Sequence, residues 1–252
     1  MMPDVERAIA AQLLAMADDE LILGHRDSEW TGHAPILEED IALSNIAQDE
    51  LGHAILWHSL RKEITGDEPD VVVFWRDAQA YRNAQMVELP KGDYAFTMVR
   101  QYLFDAAETV RLARLADSAY RPIAEAAAKI RTEEIYHVRH TSAWMKRLGL
   151  GTEESNRRTQ TALDELWAYA LQLFVPLPEA ASLVANGIVP EASEAQAAWE
   201  ETVTPFLRHA GLIVPRTRHP IALSREQHTE YLAALLAEMQ EVARLEGPEV
   251  RW

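Results

Sequence analysis

Apolar residues in this chain recur at intervals of three and four, the period of helices with one face turned inward. From about Asp4 to His25, Ile9, Leu13, Leu14, Met16 and Leu21 keep that spacing and predict a first helix. A loop from Trp30 to Pro35 follows. A second helix is predicted from about Ile36 to Lys62, ending before the turn cluster Thr65-Gly66-Asp67. The apolar run Val71 to Trp75 reads as a short strand, the start of a helix or an extended connection. Pro90-Lys91-Gly92-Asp93 marks a turn, and a third helix is predicted from about Tyr94 to Ala116. Pro122 suits a first helical turn and opens a fourth helix that runs to Leu148, where Gly149 and Gly151 stop it. Four helices with one long connection, Gly66 to Asp93, have the pattern of a bundle with a single crossover.

The remaining chain also reads as helical. Thr152 to Phe174 is amphipathic, with Leu163, Leu166, Trp167, Ala170 and Leu171 at helical spacing, and Pro176 and Pro178 break it. Glu191 to His209 is a further segment in which Thr204-Pro205 should start or kink a helix. Gly211 to Pro220 reads as irregular. The last helix is predicted from about Ser224 to Leu245, opened by the capping box Ser224-x-x-Gln227. The expectation is an all-α, ferritin-like four-helix bundle with additional C-terminal helices. It forms one domain over residues 1–252, with a core at about 4–148 and extra helices at about 152–246.

Composition narrows the function classes. The chain has no cysteine, which excludes disulfides, thiolate zinc sites, iron–sulfur clusters and a Cys nucleophile. The formal net charge of −16 disfavours nucleic acid and anionic membranes as partners. No run of 18 apolar residues occurs and the first residues lack a signal-like apolar core, so a cytoplasmic protein is expected. Two small basic groups, Arg131, Arg139, Lys146 and Arg147, and Arg216 with Arg218, could meet a phosphate-bearing ligand or an acidic partner. Ordinary surface charge is the plainer reading.

The chemistry lies in a doubled arrangement: Glu20, then Glu50-x-x-His53, then Glu108, then Glu134-x-x-His137. An i, i+3 pair projects from one helix face, so both side chains can reach one ion. A lone Glu-x-x-His carries little weight, since about one would arise by chance at this composition. The spacing carries more. Glu20 and Glu50 are 30 residues apart with Pro35 midway, and Glu108 and Glu134 are 26 apart with Arg121-Pro122 midway. Folded back at those points, the ligands of each hairpin come level. Ile46, Ala47, Ala54 and Trp57 put Glu50 on a core-facing stripe, and Phe104, Val110, Leu112 and Leu115 surround Glu108. A carboxylate on such a face costs several kcal/mol unless it is paired or ligates a metal. Glu20, Glu50, His53, Glu108, Glu134 and His137 are therefore the candidate ligands of a di-iron or di-manganese site. A buried polar network or a vacant, degenerate site is the alternative. Asp49 and Glu133 directly precede Glu50 and Glu134; Asp49 could hold His137 and Glu133 could hold His53, or both are simply exposed acids.

The tract EWTGHAPILEEDIALSNIAQDELGHA from Glu29 resembles the phenylacetyl-CoA epoxidase family, and within it the C subunit. RQYLFDAAE from Arg100, LGLGT from Leu148 and HTEYLAALLAEMQ from His228 are similar to the same family. The resemblance implies one chain of a multicomponent oxygenase of phenylacetate catabolism that epoxidises phenylacetyl-CoA with O₂. The implied partners are a related, longer ferritin-like A subunit, a separate reductase and the substrate phenylacetyl-CoA. In that family the A subunit is thought to carry the working di-iron site, whereas the C subunit is thought to be a scaffold with an eroded ligand set. This chain departs from that pattern, because all six candidate ligands stand. The rival readings are a ferritin- or rubrerythrin-like iron oxidase or iron-handling protein, and a metal-free scaffold. Aromatic residues after Gly151, namely Trp167, Tyr169, Phe174, Trp199 and Phe206, are expected to contribute to a partner interface as well as to the chain's own core.

Overall fold

The computed structural model describes residues 3–248. Among the described residues the regular structure is helical: α1 Pro3–Ser28, α2 Leu37–Thr65, α3 Pro69–Phe74, α4 Gln85–Glu88, α5 Tyr94–Leu115, α6 Arg121–Gly149, α7 Glu153–Gln172, α8 Ala180–Ala185, α9 Ala192–His209 and α10 Glu230–Gln240. The protein is all-α and ferritin-like. α1 packs along α2 and α5 along α6, and α2 meets α6 across the bundle. α7 and α9 cover α5, while α4 and α8 lie against α1.

Local chemistry sets the helix ends. Gly66 closes α2 at φ 77°, a conformation that costs glycine nothing, and its N–H donates to the Lys62 carbonyl at 2.8 Å. Asp93 caps α5 by accepting from the Phe96 N–H. Thr152 and Ser155 cap each other's backbone at the start of α7. Gly24 sets the approach of α1 to α2: a Cβ there would stand 3.1 Å from the Ala47 carbonyl oxygen and 3.1 Å from Glu50 Cβ.

The crossover wraps α1 tightly. Asp18, Asp19 and Glu20 are consecutive and all fully buried, each aimed at a different partner. Asp18 accepts from Arg76 Nη1 at 2.9 Å and from the Arg82 backbone N–H at 2.8 Å. Asp19 accepts from Arg225 Nη1 at 2.7 Å and from the Ala84 N–H at 2.7 Å. Glu20 points into the bundle. A buried carboxylate survives when such donors replace water.

Three expectations need correction. The last helix begins at Glu230, capped by the Thr229 hydroxyl, and not at Ser224. Residues 224–229 are drawn off the helical path by buried contacts. Arg225 reaches Asp19, His228 Nδ1 meets Glu88 at 2.6 Å, and the Thr229 N–H and hydroxyl donate to Glu88 Oε2. Of the two readings of Thr204-Pro205, starting a helix or kinking one, the first fails, because Pro205 lies inside α9. The aromatic residues after Gly151 belong mainly to the protein's own core. Trp167 and Trp199 are fully buried with ring centroids 5.0 Å apart, and Tyr169, Phe174 and Phe206 pack against the same cluster. They supply no argument for a partner interface. Val71 to Trp75 resolves as the short helix α3 with Trp75 as its C-cap. Of the basic residues, Arg147 lies over the Trp144 ring at 4.6 Å, Lys146 over Phe206 at 5.5 Å, and Arg218 pairs with Glu200 at 2.7 Å.

Candidate metal centre

Two overlapping groups of side chains converge where α1, α2, α5 and α6 pass one another. Glu20, Glu50, His53 and Glu134 bring ligand atoms within 4.8 Å of one another, and so do Glu50, Asp105 and His137. All six residues are buried. Each Glu-x-x-His pair spans one helical turn, so α2 supplies Glu50 with His53 and α6 supplies Glu134 with His137.

Each imidazole is held from behind by an acid on the opposite helix. His53 Nε2 bonds Glu133 Oε2 at 2.8 Å, and His137 Nε2 lies 3.2 Å from Asp49 Oδ2. Both Nδ1 atoms therefore face inward, which is how a metal-ligating histidine is oriented. The two pairings are those expected from the positions of Asp49 and Glu133.

Five of the six residues predicted as ligands meet here, and Glu108 does not join either group. It is buried, but its carboxylate pairs with the guanidinium of Arg111 one turn along α5. The α5 residue at the centre is Asp105. Its sequence signal was available: Asp105 precedes Glu134 by 29 residues, close to the 30 between Glu20 and Glu50. Gln101 and Thr141, also buried and also unpredicted, complete the surroundings. Gln101 Nε2 donates to Glu50 Oε1 at 2.9 Å and to Asp105 Oδ1 at 2.8 Å, and Thr141 Oγ1 donates to Asp105 Oδ2 at 2.9 Å.

Burial and crowding move the ionisations. Burial, reinforced by Glu50, holds Glu20 well above the usual carboxylate range. Burial and Glu50 also raise Glu134, and burial and Glu134 raise Asp105. Burial alone would lower His53, but Glu20 and Glu50 outweigh it and lift the imidazole to about 11. His137 rises against the same burial, driven by Asp49 and Glu134. The cluster thus stores protons that a cation could displace.

The donor set fits a metal ion. Both oxygens of Glu20, Glu50 Oε2, Glu134 Oε2 and His53 Nδ1 are buried without hydrogen-bond partners. His53 Nδ1 stands 3.7 Å from one oxygen each of Glu20, Glu50 and Glu134. That is too long for hydrogen bonds and is the kind of separation that ligands of a shared ion keep. Mixed carboxylate and imidazole donors without thiolate suit iron or manganese.

A helical bundle with a buried glutamate–histidine cluster at its centre has the donor types with which bundle proteins hold metal ions. The family model described as phenylacetic acid catabolic protein matches residues 1–252, and the chain belongs to that family. It is 36% identical over 239 residues to the C subunit of the 1,2-phenylacetyl-CoA epoxidase of Escherichia coli (strain K12), covering 94% of this chain and 96% of that protein. It is 27% identical over 176 residues to the A subunit of the same epoxidase, covering 69% of this chain and 57% of that one. No helix among the described residues is long and apolar enough to cross a membrane.

Proposed function

We propose that this chain is the C-type subunit of a phenylacetyl-CoA epoxidase complex in phenylacetate catabolism, seated against a longer A-type subunit. The observation that carries the reading is end-to-end similarity to an epoxidase C subunit. The weaker, partial similarity to the A subunit supports a common bundle ancestry for the two partners. The cytoplasm is the compartment that a coenzyme A thioester substrate implies.

Within this chain, Glu20, Glu50, His53 and Glu134 would hold a metal ion of the iron or manganese class, and Asp105 and His137 border it. An ion of that class would supply O₂ chemistry when bound. The chain's own residues prepare the place. Glu133 fixes the His53 ring with its Nδ1 inward. Leu43, Ile46, Trp57, Phe104 and Ile130 are buried in the surrounding helices and keep water away. A ferritin-like iron-handling role shares the donor set, but it requires none of α7 to α10, whose side chains merge with the bundle core.

The test is co-purification. Mixed with its A-type partner, the chain should elute as one larger complex, and phenylacetyl-CoA consumption with a reductase should need both chains. A chain that ignores the A-type partner in size-exclusion chromatography would overturn the reading. So would turnover by this chain with reductase alone.

A further inference from the structure

We propose that this chain binds one metal ion and not two: the Glu20–Glu50–His53–Glu134 half of the centre takes the ion, and the Asp105–His137 half is closed by the Gln101 side chain. The inference deepens, and rests on, the reading of the cluster as a metal site.

The two halves differ in how their donors are satisfied. In the first, four buried residues offer unbonded atoms: Glu20 Oε1 and Oε2, Glu50 Oε2, His53 Nδ1 and Glu134 Oε2. His53 Nδ1 is 3.7 Å from three carboxylates at once. Acceptor atoms left facing one another in a dry core are stable only with a cation or with added protons.

In the second half the carboxylates are already engaged, and the unbonded atom left there is Gln101 Oε1. Asp105 Oδ1 accepts from Gln101 and Oδ2 from Thr141, so both of its oxygens are engaged. Glu50 Oε1, the oxygen on this side, accepts from the same Gln101 Nε2. His137 Nδ1 lies 3.2 Å from Glu134 Oε1, within hydrogen-bond reach. Gln101 thus places an N–H₂ donor between two carboxylates, at the position where a second cation would bridge them. The reach of the ligands also differs. Where α1 offers Glu20, α5 offers Asp105, shorter by one methylene, and the nearby longer acid, Glu108, is taken by Arg111. An ion entering this half would have to break three hydrogen bonds to the two carboxylates and draw a short carboxylate inward.

The experiment titrates the full-length apoprotein, stripped with chelator, with Mn(II), following free and bound ion by electron paramagnetic resonance. One Mn(II) per chain is expected, with an uncoupled, mononuclear spectrum. Glu20→Gln should abolish that binding, and Asp105→Asn should leave it at one. Gln101→Glu, which adds an anionic donor to the closed half, should raise the count to two and introduce spin coupling. Two coupled ions per wild-type chain would overturn the inference while keeping the metal-site reading. No binding above background would overturn both. Retention of the ion in Glu20→Gln would place it elsewhere and overturn the assignment. Gln101→Glu that still takes one ion, with an unchanged thermal melt, would remove Gln101 from the role given to it.

Discussion

His53 and His137 each turn one ring nitrogen to the cluster and the other to an acid at its rim, and this decides how the centre responds to pH. His53 is raised to about 11 by Glu20 and Glu50, so it is an imidazolium at neutral pH in the ion-free protein. A histidine raised by folding stabilises the ion-free fold fully below its unfolded value near 6.5, and that contribution fades as pH rises towards about 11. Metal ligation needs the opposite protonation state. Binding of an ion must therefore release a proton from His53. Between pH 6 and pH 8 the apparent dissociation constant should fall about tenfold per pH unit for each proton displaced. A titration in weakly buffered solution with a pH indicator measures the release directly. Affinity independent of pH would mean that the imidazoles are neutral before the ion arrives. At this scale the sequence was legible where the motif was local. Glu50 with His53 and Glu134 with His137 follow from one helical turn, and the acids behind them from standing next to Glu134 and Glu50. Asp105 was legible only through its spacing to Glu134, and a nearby glutamate of the commoner ligand type outweighed it. Which acid turns inward depends on Arg111, which shares a face with Glu108 and draws it away.

Among the elements, the four long helices and their ends follow from periodicity and caps, because both are local properties of the chain. The segment from Ser224 to Thr229 did not follow. Its capping-box pattern is sound locally, but Arg225 gains a buried partner 206 residues away in Asp19. Tertiary contact overrides the weaker preference of a cap. The same contact pins the C-terminal segment to α1 and to the crossover, since Asp19 also holds the Ala84 N–H. Arg225→Ala would leave Asp19 fully buried with its main counter-ion gone. Breaking such a pair costs about 3 kcal/mol or more, which for a chain of this size lowers the melting temperature by roughly 6–12 °C. Arg218→Ala removes an exposed pair with Glu200, and surface changes of this kind stay within about 0.5 kcal/mol. Calorimetric melts of the two variants give the comparison. Equal melting temperatures would show that Arg225 is an incidental contact and that another force holds residues 224–229.

For the whole molecule, the question is whether the helices after Gly151 are an added layer or part of the fold that makes the centre. Their packing favours the second. One continuous cluster of buried side chains takes Leu21, Ile22 and Leu23 from α1, Tyr102, Leu103 and Phe104 from α5, Trp167 from α7, Trp199 from α9 and Leu235 from α10. Trp199 Nε1 donates to the Leu103 carbonyl at 3.3 Å, so α9 is fastened to α5 close to Gln101 and Asp105. Removing residues 152–252 would uncover the side of α5 that faces α7 and α9. Large apolar surface newly exposed to water destabilises at roughly 25 cal/mol per Å², and a loosened α5 would carry Asp105 and Gln101 with it. A chain of residues 1–151 should therefore lose its cooperative melt, bind anilinonaphthalene sulfonate and fail to retain Mn(II). A self-sufficient iron-handling bundle predicts the reverse: a sharp melt, no dye binding and the same metal occupancy as the full chain. That reverse result would make α7 to α10 an accessory layer and remove the architectural argument against the iron-handling reading.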